Sequence, residues 1–137
     1  MKRSALLTRS LMTLMVAGAL AAPAWAQEER PPEKPPGPPP TAAEAKAERQ
    51  KNSAAKLAGL LAFVETYCRD LKPNSKRLNS VVAGLGVAPD DLAQGDLNLR
   101  SRAYTEIYTK DISANCARAA ENFGETGRTI PGLITKR

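Results

Sequence analysis

The apolar positions of this chain change their spacing in a way that divides it. Leu57, Leu60, Leu61, Val64, Tyr67, Cys68 and Leu71 recur at i, i+3, i+4, i+7, with Phe63 on the flank. That period predicts a helix with one apolar stripe, which must dock on another element. Lys72-Pro73 should end it, because proline drives the residue before it out of the α region. Cys68 then lies on the buried stripe in the helix's last turns. Upstream, Ala42 to Ser53 is dominated by Ala, Glu, Lys, Arg and Gln, which favour helix but leave no apolar face. Residues 41–56 therefore read as a polar helix start projecting into solvent, opened by a capping box at Thr41-Ala42-Ala43-Glu44.

A shorter helix is expected next, N-capped by Asn74 or Ser75, with Leu78, Val81, Val82 and Leu85 on its inner face. Gly84 and Gly86 supply its stop. Pro89 to Gln94 reads as one or two helical turns, with Asp90 and Asp91 at the positive end of the dipole and Gly95 closing it. The longest helix is expected from Asp96 or Asn98 to Phe123, ended by Gly124. Along it Tyr104, Tyr108, Ile112, Cys116, Ala120 and Phe123 trace one line, joined by Ile107 and Ala119. That line and the Leu57–Leu71 stripe each carry one of the two cysteines. In the Gly- and Pro-rich tail, Ile130, Leu133 and Ile134 can fold back over the open edge of a small core. No alternation is long enough to mark a strand. The expected class is therefore all-α, three to four helices making a disulfide-linked domain over 57–137.

The N-terminus places that domain. Lys2, Arg3 and Arg9 precede an apolar run from Leu11 to Ala22, and Ala24-Trp25-Ala26 offers small residues at both recognition positions. This is the layout of a secretory signal peptide over 1–26. About 12 apolar residues are too few for a span that needs roughly 20, so no integral membrane span is expected after cleavage. Residues 27–40 follow as a Pro-rich spacer: seven of the eleven residues from Arg30 to Pro40 are proline. Proline fixes φ and removes the amide donor, which favours disordered, extended polyproline II.

Charge and cysteine count then narrow the function. The chain has 20 basic and 14 acidic residues; without the leader's three basic residues the balance falls to about +3. That is a weak electrostatic case for nucleic acid, which calls for a dense basic face. Two cysteines in an exported chain imply a structural bridge, Cys68–Cys116. Closing a loop of 48 residues should stabilise the fold by about 4 kcal/mol. With no histidine the chain lacks Ser-His-Asp and Cys-His devices and half of the usual zinc ligands.

Neither a phosphate-cradling glycine loop nor a dinucleotide fingerprint is present. Asp90, Asp91, Asp96 and Asn98 do not make a calcium loop: counted from Asp96, Arg100 and Ile107 stand where oxygen ligands belong. Glu65, Asp70, Glu106, Asp111 and Glu121 are scattered at spacings that suit exposed helix pairs. No catalytic residue, metal or cofactor is expected. The candidate binding residues are Arg69, Lys72, Lys76 and Arg77, clustered around the first inter-helix turn, where they can attract a phosphate or an anionic headgroup.

In size, in its leader and in one bridge uniting two helices, the span from Leu57 to Phe123 resembles the acid-activated periplasmic chaperones. The resemblance carries no specific motif, and the polyproline arm and long polar helix depart from it. It implies acid sensing, which without histidine falls to carboxylates losing charge near pH 4. The expected role is that of a small periplasmic or secreted, non-enzymatic protein of the bacterial envelope. It would act by contacts with another envelope protein. The alternatives are a basic module making weak contact with an anionic envelope polymer or lipid, and an acid-stress-type chaperone.

Overall fold

The first helix starts where a side chain can satisfy its free amides. In the computed structural model, which describes residues 37–137, Thr41 Oγ1 accepts from Glu44 N at 3.2 Å while Thr41 N donates to Glu44 Oε2 at 2.7 Å. The Thr41 amide, and next the Thr41 hydroxyl, which donates to the same Oε2 at 2.8 Å, hold the Glu44 carboxyl below its ordinary value. Ahead of this box, Gly37 to Pro40 are exposed and without regular structure. The expected leader and residues 27–36 of the expected spacer lie outside the described residues.

Helix α1 runs Ala42–Tyr67, followed by strand β1 Leu71–Pro73, helix α2 Ser75–Gly84 and a 3-10 turn Pro89–Ala93. Helices α3 Gly95–Thr109 and α4 Ile112–Phe123 come next, and strand β2 Ile134–Lys136 is the last element. The domain is thus mostly helical, with one disulfide and a small two-stranded antiparallel sheet.

Three expectations need correction. The first helix stops at Tyr67, short of Lys72-Pro73. Leu71 leaves the helical stripe to pair with Lys136, and Pro73, whose missing amide is tolerated at the end of an edge strand, faces Ile134. The apparent single helix from Asp96 to Phe123 is two. At Asp111 the backbone leaves the α region (φ −146°, ψ 84°), and its carboxylate accepts from Ala114 N at 3.0 Å to start α4. Asn115 Nδ2 donates to Tyr108 O at 2.7 Å, satisfying a carbonyl freed at the end of α3. With the break, Ile112 turns outward and Ile107 is exposed, so neither sits on a buried line. The all-α class is accordingly modified by the sheet.

α1 occupies the centre. Ala54, Ala55, Gly59, Leu60, Leu61, Phe63 and Val64 are all buried, which covers most of its circumference rather than one stripe. Phe63, expected on the flank, is fully buried between Tyr67 and Tyr108, its ring centroid 5.6 and 5.7 Å from theirs. Two apolar clusters result. One joins the lower half of α1 to α4 and the tail through Leu60, Phe63, Val64, Ala119, Leu133 and Ile134. The other joins Ala54 and Ala55 to Val82, Val87 and Leu97, so the core begins before Leu57. Residues Ala42 to Ser53 are exposed or half-buried. Glu48 nevertheless pairs with Arg100, and Asn52 Oδ1 accepts from the Tyr104 hydroxyl at 3.1 Å.

Those contacts advance together along α1 and α3, so the two helices run in the same sense, and Gly59 sets how closely they pack. A Cβ built there would meet the Ser101 carbonyl oxygen and lie 2.7 Å from Tyr104 Cβ and 3.2 Å from Thr105 N. Thr105 Oγ1 donates to Gly59 O at 3.0 Å across the same seam. Gly59→Ala gains about 1 kcal/mol in helix propensity, but overpacking against backbone costs about 1–3 kcal/mol. The expected net result is a loss of up to about 2 kcal/mol and a lower Tm, by about 4–8 °C for each kcal/mol lost, read in a thermal melt. An unchanged Tm would mean that the seam opens freely.

The tail folds back as its apolar residues suggest, with Leu133 and Ile134 fully buried. Asn74 fastens it. Its Oδ1 caps α2 by accepting from Arg77 N at 3.1 Å, its Nδ2 donates to Gly132 O at 3.1 Å, and its backbone N donates to Leu133 O at 2.9 Å.

Candidate functional site: an apolar cleft between α1, α2 and the tail

α2 buries only Val82 completely and leaves Val81 and Leu85 half-open. Opposite them stand Leu57 and Leu60 of α1, and the ends of α3 and α4 supply Tyr108 and Phe123. Ile130 and Thr129 of the tail close the remaining side, giving an apolar cleft of about 280 Å³. Its size lies at the lower edge of the range for small-molecule sites. Ser53 and Lys56 line its mouth, and Lys56 is exposed with no ion-pair partner among the described residues. Burial, and secondarily the neighbouring Tyr104 charge, push the Tyr108 phenol above its ordinary value. The wall is therefore neutral, and the cleft selects for apolar matter with room for one anionic or hydrogen-bonding group at the Lys56 end.

The chain matches no family model, no curated protein and no solved structure.

The two cysteines meet as the paired apolar faces suggest, Cα to Cα 5.7 Å apart. Beside the bridge lies a second cleft of about 380 Å³, flanked by Tyr67 and Ile112, each 41% exposed, with Arg69 and Asp70 on its edge. Arg69 is one of the four candidate anion-binding residues and lies in the turn before β1. Lys72 lies in the middle of β1 opposite Thr135, and Lys76 and Arg77 occupy the first turn of α2. All four are exposed and none forms an ion pair among the described residues. The sheet also brings Lys136 opposite Leu71, a neighbour that sequence proximity could not show.

The carboxylates are mostly engaged. Asp111 caps α4, Glu65 pairs with Arg137 at 3.3 Å and Glu121 with Arg128 at 2.8 Å. Asp91 and Asp96 share an open polar cleft with Glu48 and Lys51, and Arg100 reaches both Glu48 and, at 2.7 Å, Asp96. Among the described residues no group of three or more His, Cys, Asp or Glu is placed to hold a metal ion. No described helix is long and apolar enough to cross a membrane.

Proposed function

We propose that this is a small exported, periplasmic, non-enzymatic protein that binds an apolar segment of another envelope protein in the cleft between α1, α2 and the tail. The cleft itself carries the reading. It is open, it is lined by Leu57, Leu60, Val81, Leu85, Phe123 and Ile130, and it presents no constellation of nucleophile, base and acid. The secretory layout of residues 1–26, the proline-rich stretch as a spacer, and the disulfide support an oxidising compartment. Docking through buried apolar side chains should survive high salt, since screening acts on exposed charges.

The test is a photo-crosslinking residue placed at Lys56 of the chain in its own cells. A protein adduct is expected, formed equally when an envelope extract is irradiated at high salt and reduced about tenfold or more by Leu85→Glu, as removal of a central apolar contact requires. Adducts to lipid alone, or yields indifferent to Leu85→Glu, would overturn the reading. A ladder of many protein adducts, rising as pH falls toward 4, would mark the chaperone version of the same cleft.

A second reading is favoured by α2. Its first turn carries Lys76 and Arg77 and no acidic residue, placing two cations at the positive end of the helix dipole. That placement raises the local positive potential without a stabilising purpose in the fold. It supports weak contact of Arg69, Lys72, Lys76 and Arg77 with an anionic envelope polymer or lipid, which would disappear at high salt.

A further inference from the structure

The face of α1 that opens into the apolar cleft continues beyond it. Ser53, Lys56, Leu57 and Leu60 line the cleft, and Arg49 and Lys46 lie four and seven residues before Ser53. That spacing keeps side chains on one face of a helix. Lys46, Arg49 and Lys56 are exposed, and none has an ion-pair partner among the described residues. Both carboxylates of this half of α1 are engaged elsewhere, Glu44 by Thr41 in the capping box and Glu48 by Arg100 of α3. From Lys46 to Lys56 the helix rises about 15 Å, so a row of three uncompensated cations leads into the cleft. It leads in from one end only: past Leu60 the same face is closed by Phe63 and Val64, both fully buried.

Like charges one turn apart repel within a helix, so the row contributes nothing to the stability of the single chain. Its use lies in what approaches the cleft. We infer that the apolar segment bound there carries, on one side only, a run of Asp or Glu residues that lies along Lys46, Arg49 and Lys56. This rests on the cleft reading and adds to it the charge of the segment and the direction in which it lies. About five residues of extended chain, at roughly 3.3 Å each, reach from the cleft mouth to Lys46. Exposed charges of this kind act on encounter more than on retention. The row therefore speeds association and selects one orientation, while Leu57, Leu60, Val81 and Leu85 set how long the segment stays. A partner present well above its dissociation constant still fills the cleft at high salt, because screening removes the steering and leaves the apolar contacts.

The experiment measures association and dissociation rates of three dye-labelled peptides on the full exported chain, with its disulfide intact. Each peptide holds one apolar core of leucine, valine, leucine and phenylalanine. Four acidic residues precede the core in the first and follow it in the second, and the third has serine and glycine in their place. One of the two acidic orders should associate about tenfold faster than the neutral peptide at low salt, lose that advantage at high salt, and dissociate at the same rate. The double variant Lys46→Glu, Arg49→Glu should abolish the advantage and leave the neutral peptide's rates and the far-UV circular dichroism unchanged. Leu85→Glu should speed dissociation of all three about tenfold or more. Equal association of acidic and neutral peptides, or an advantage that survives the double variant, overturns the inference while the Leu85-dependent cleft stands. No binding of any peptide, or binding indifferent to Leu85→Glu, overturns the cleft reading and the inference with it. Phosphatidylglycerol vesicles that bind through Lys46 and Arg49 while the acidic peptides gain nothing from them would assign the row to lipid and overturn the inference too.

Discussion

A chain ending at Arg128 is expected to lose its cooperative thermal transition. The nine residues removed include Leu133 and Ile134, which are fully buried and, with Phe63, Val64 and Val82, are among the largest such side chains in the domain. They also include β2, whose pairing holds β1, and the carbonyls of Gly132 and Leu133 that receive both Asn74 donors. Truncating one buried Leu or Ile costs about 2–5 kcal/mol, and the net stability of a domain is only about 5–15 kcal/mol. Losing two such side chains together with the strand therefore removes most or all of the margin. Circular dichroism should show residual helix from α1 and a broad, uncooperative melt. The graded version is Ile134→Ala, which should fold but lose about 2–5 kcal/mol in a urea titration. A truncated chain that melts sharply near the native Tm would show that the α1–α4 contacts suffice and that the tail merely covers them.

The tail shows how far the sequence could be read. Ile130, Leu133 and Ile134 were recognisable as apolar residues in a segment unable to form a helix, so burial could be expected while the form of that burial could not. Strands of three residues are shorter than any alternation that can be detected, and Leu71 pairs with Lys136 across most of the domain. Such pairing is decided by tertiary contact. The line from Tyr104 to Phe123 misled for a related reason: steps of four and three describe one helix or two consecutive helices equally well. The local sign of the break was present, since Asp111 can cap Ala114, but an Asp inside a helical pattern also reads as a solvated side chain.

The role of Gly59 was not legible, because Ser101 and Thr105, which close on it, lie on another helix. The candidate cleft was the least legible feature. Its lining comes from α1, α2, the ends of α3 and α4, and the tail; Leu57, Leu60, Tyr108, Phe123 and Ile130 were each legible as apolar, but their convergence on one cleft was not. The basic residues were the reverse case, close in sequence yet distributed over a turn, a strand and a helix.

Replacing both Cys68 and Cys116 with alanine is expected to lower stability by at least about 4 kcal/mol, the chain-entropy value for a 48-residue separation. For a domain of this size that corresponds to roughly 20 °C in Tm. The bridge matters because of what it fastens. α4 buries only Ala119 completely, and its first turn presents Ile112 to solvent. Apolar contact therefore holds the far end of α4, through Ala119 and Phe123, more firmly than the end near Lys110. The disulfide ties that weaker end to the residue that caps α1.

Two measurements separate the contributions. Mild reduction of the wild type removes the cross-link alone, whereas the double alanine variant also removes the sulfur that Cys68 buries in the core. The variant should therefore be the less stable by the transfer and cavity share of one small side chain, about 1 kcal/mol. Both should show a larger urea m-value than the oxidised protein, because an unfolded chain released from the cross-link exposes more surface. If reduction leaves the midpoint unmoved, the unfolded state is not being restrained by the bridge, and the helices must already hold one another through Phe63, Leu133 and Ile134.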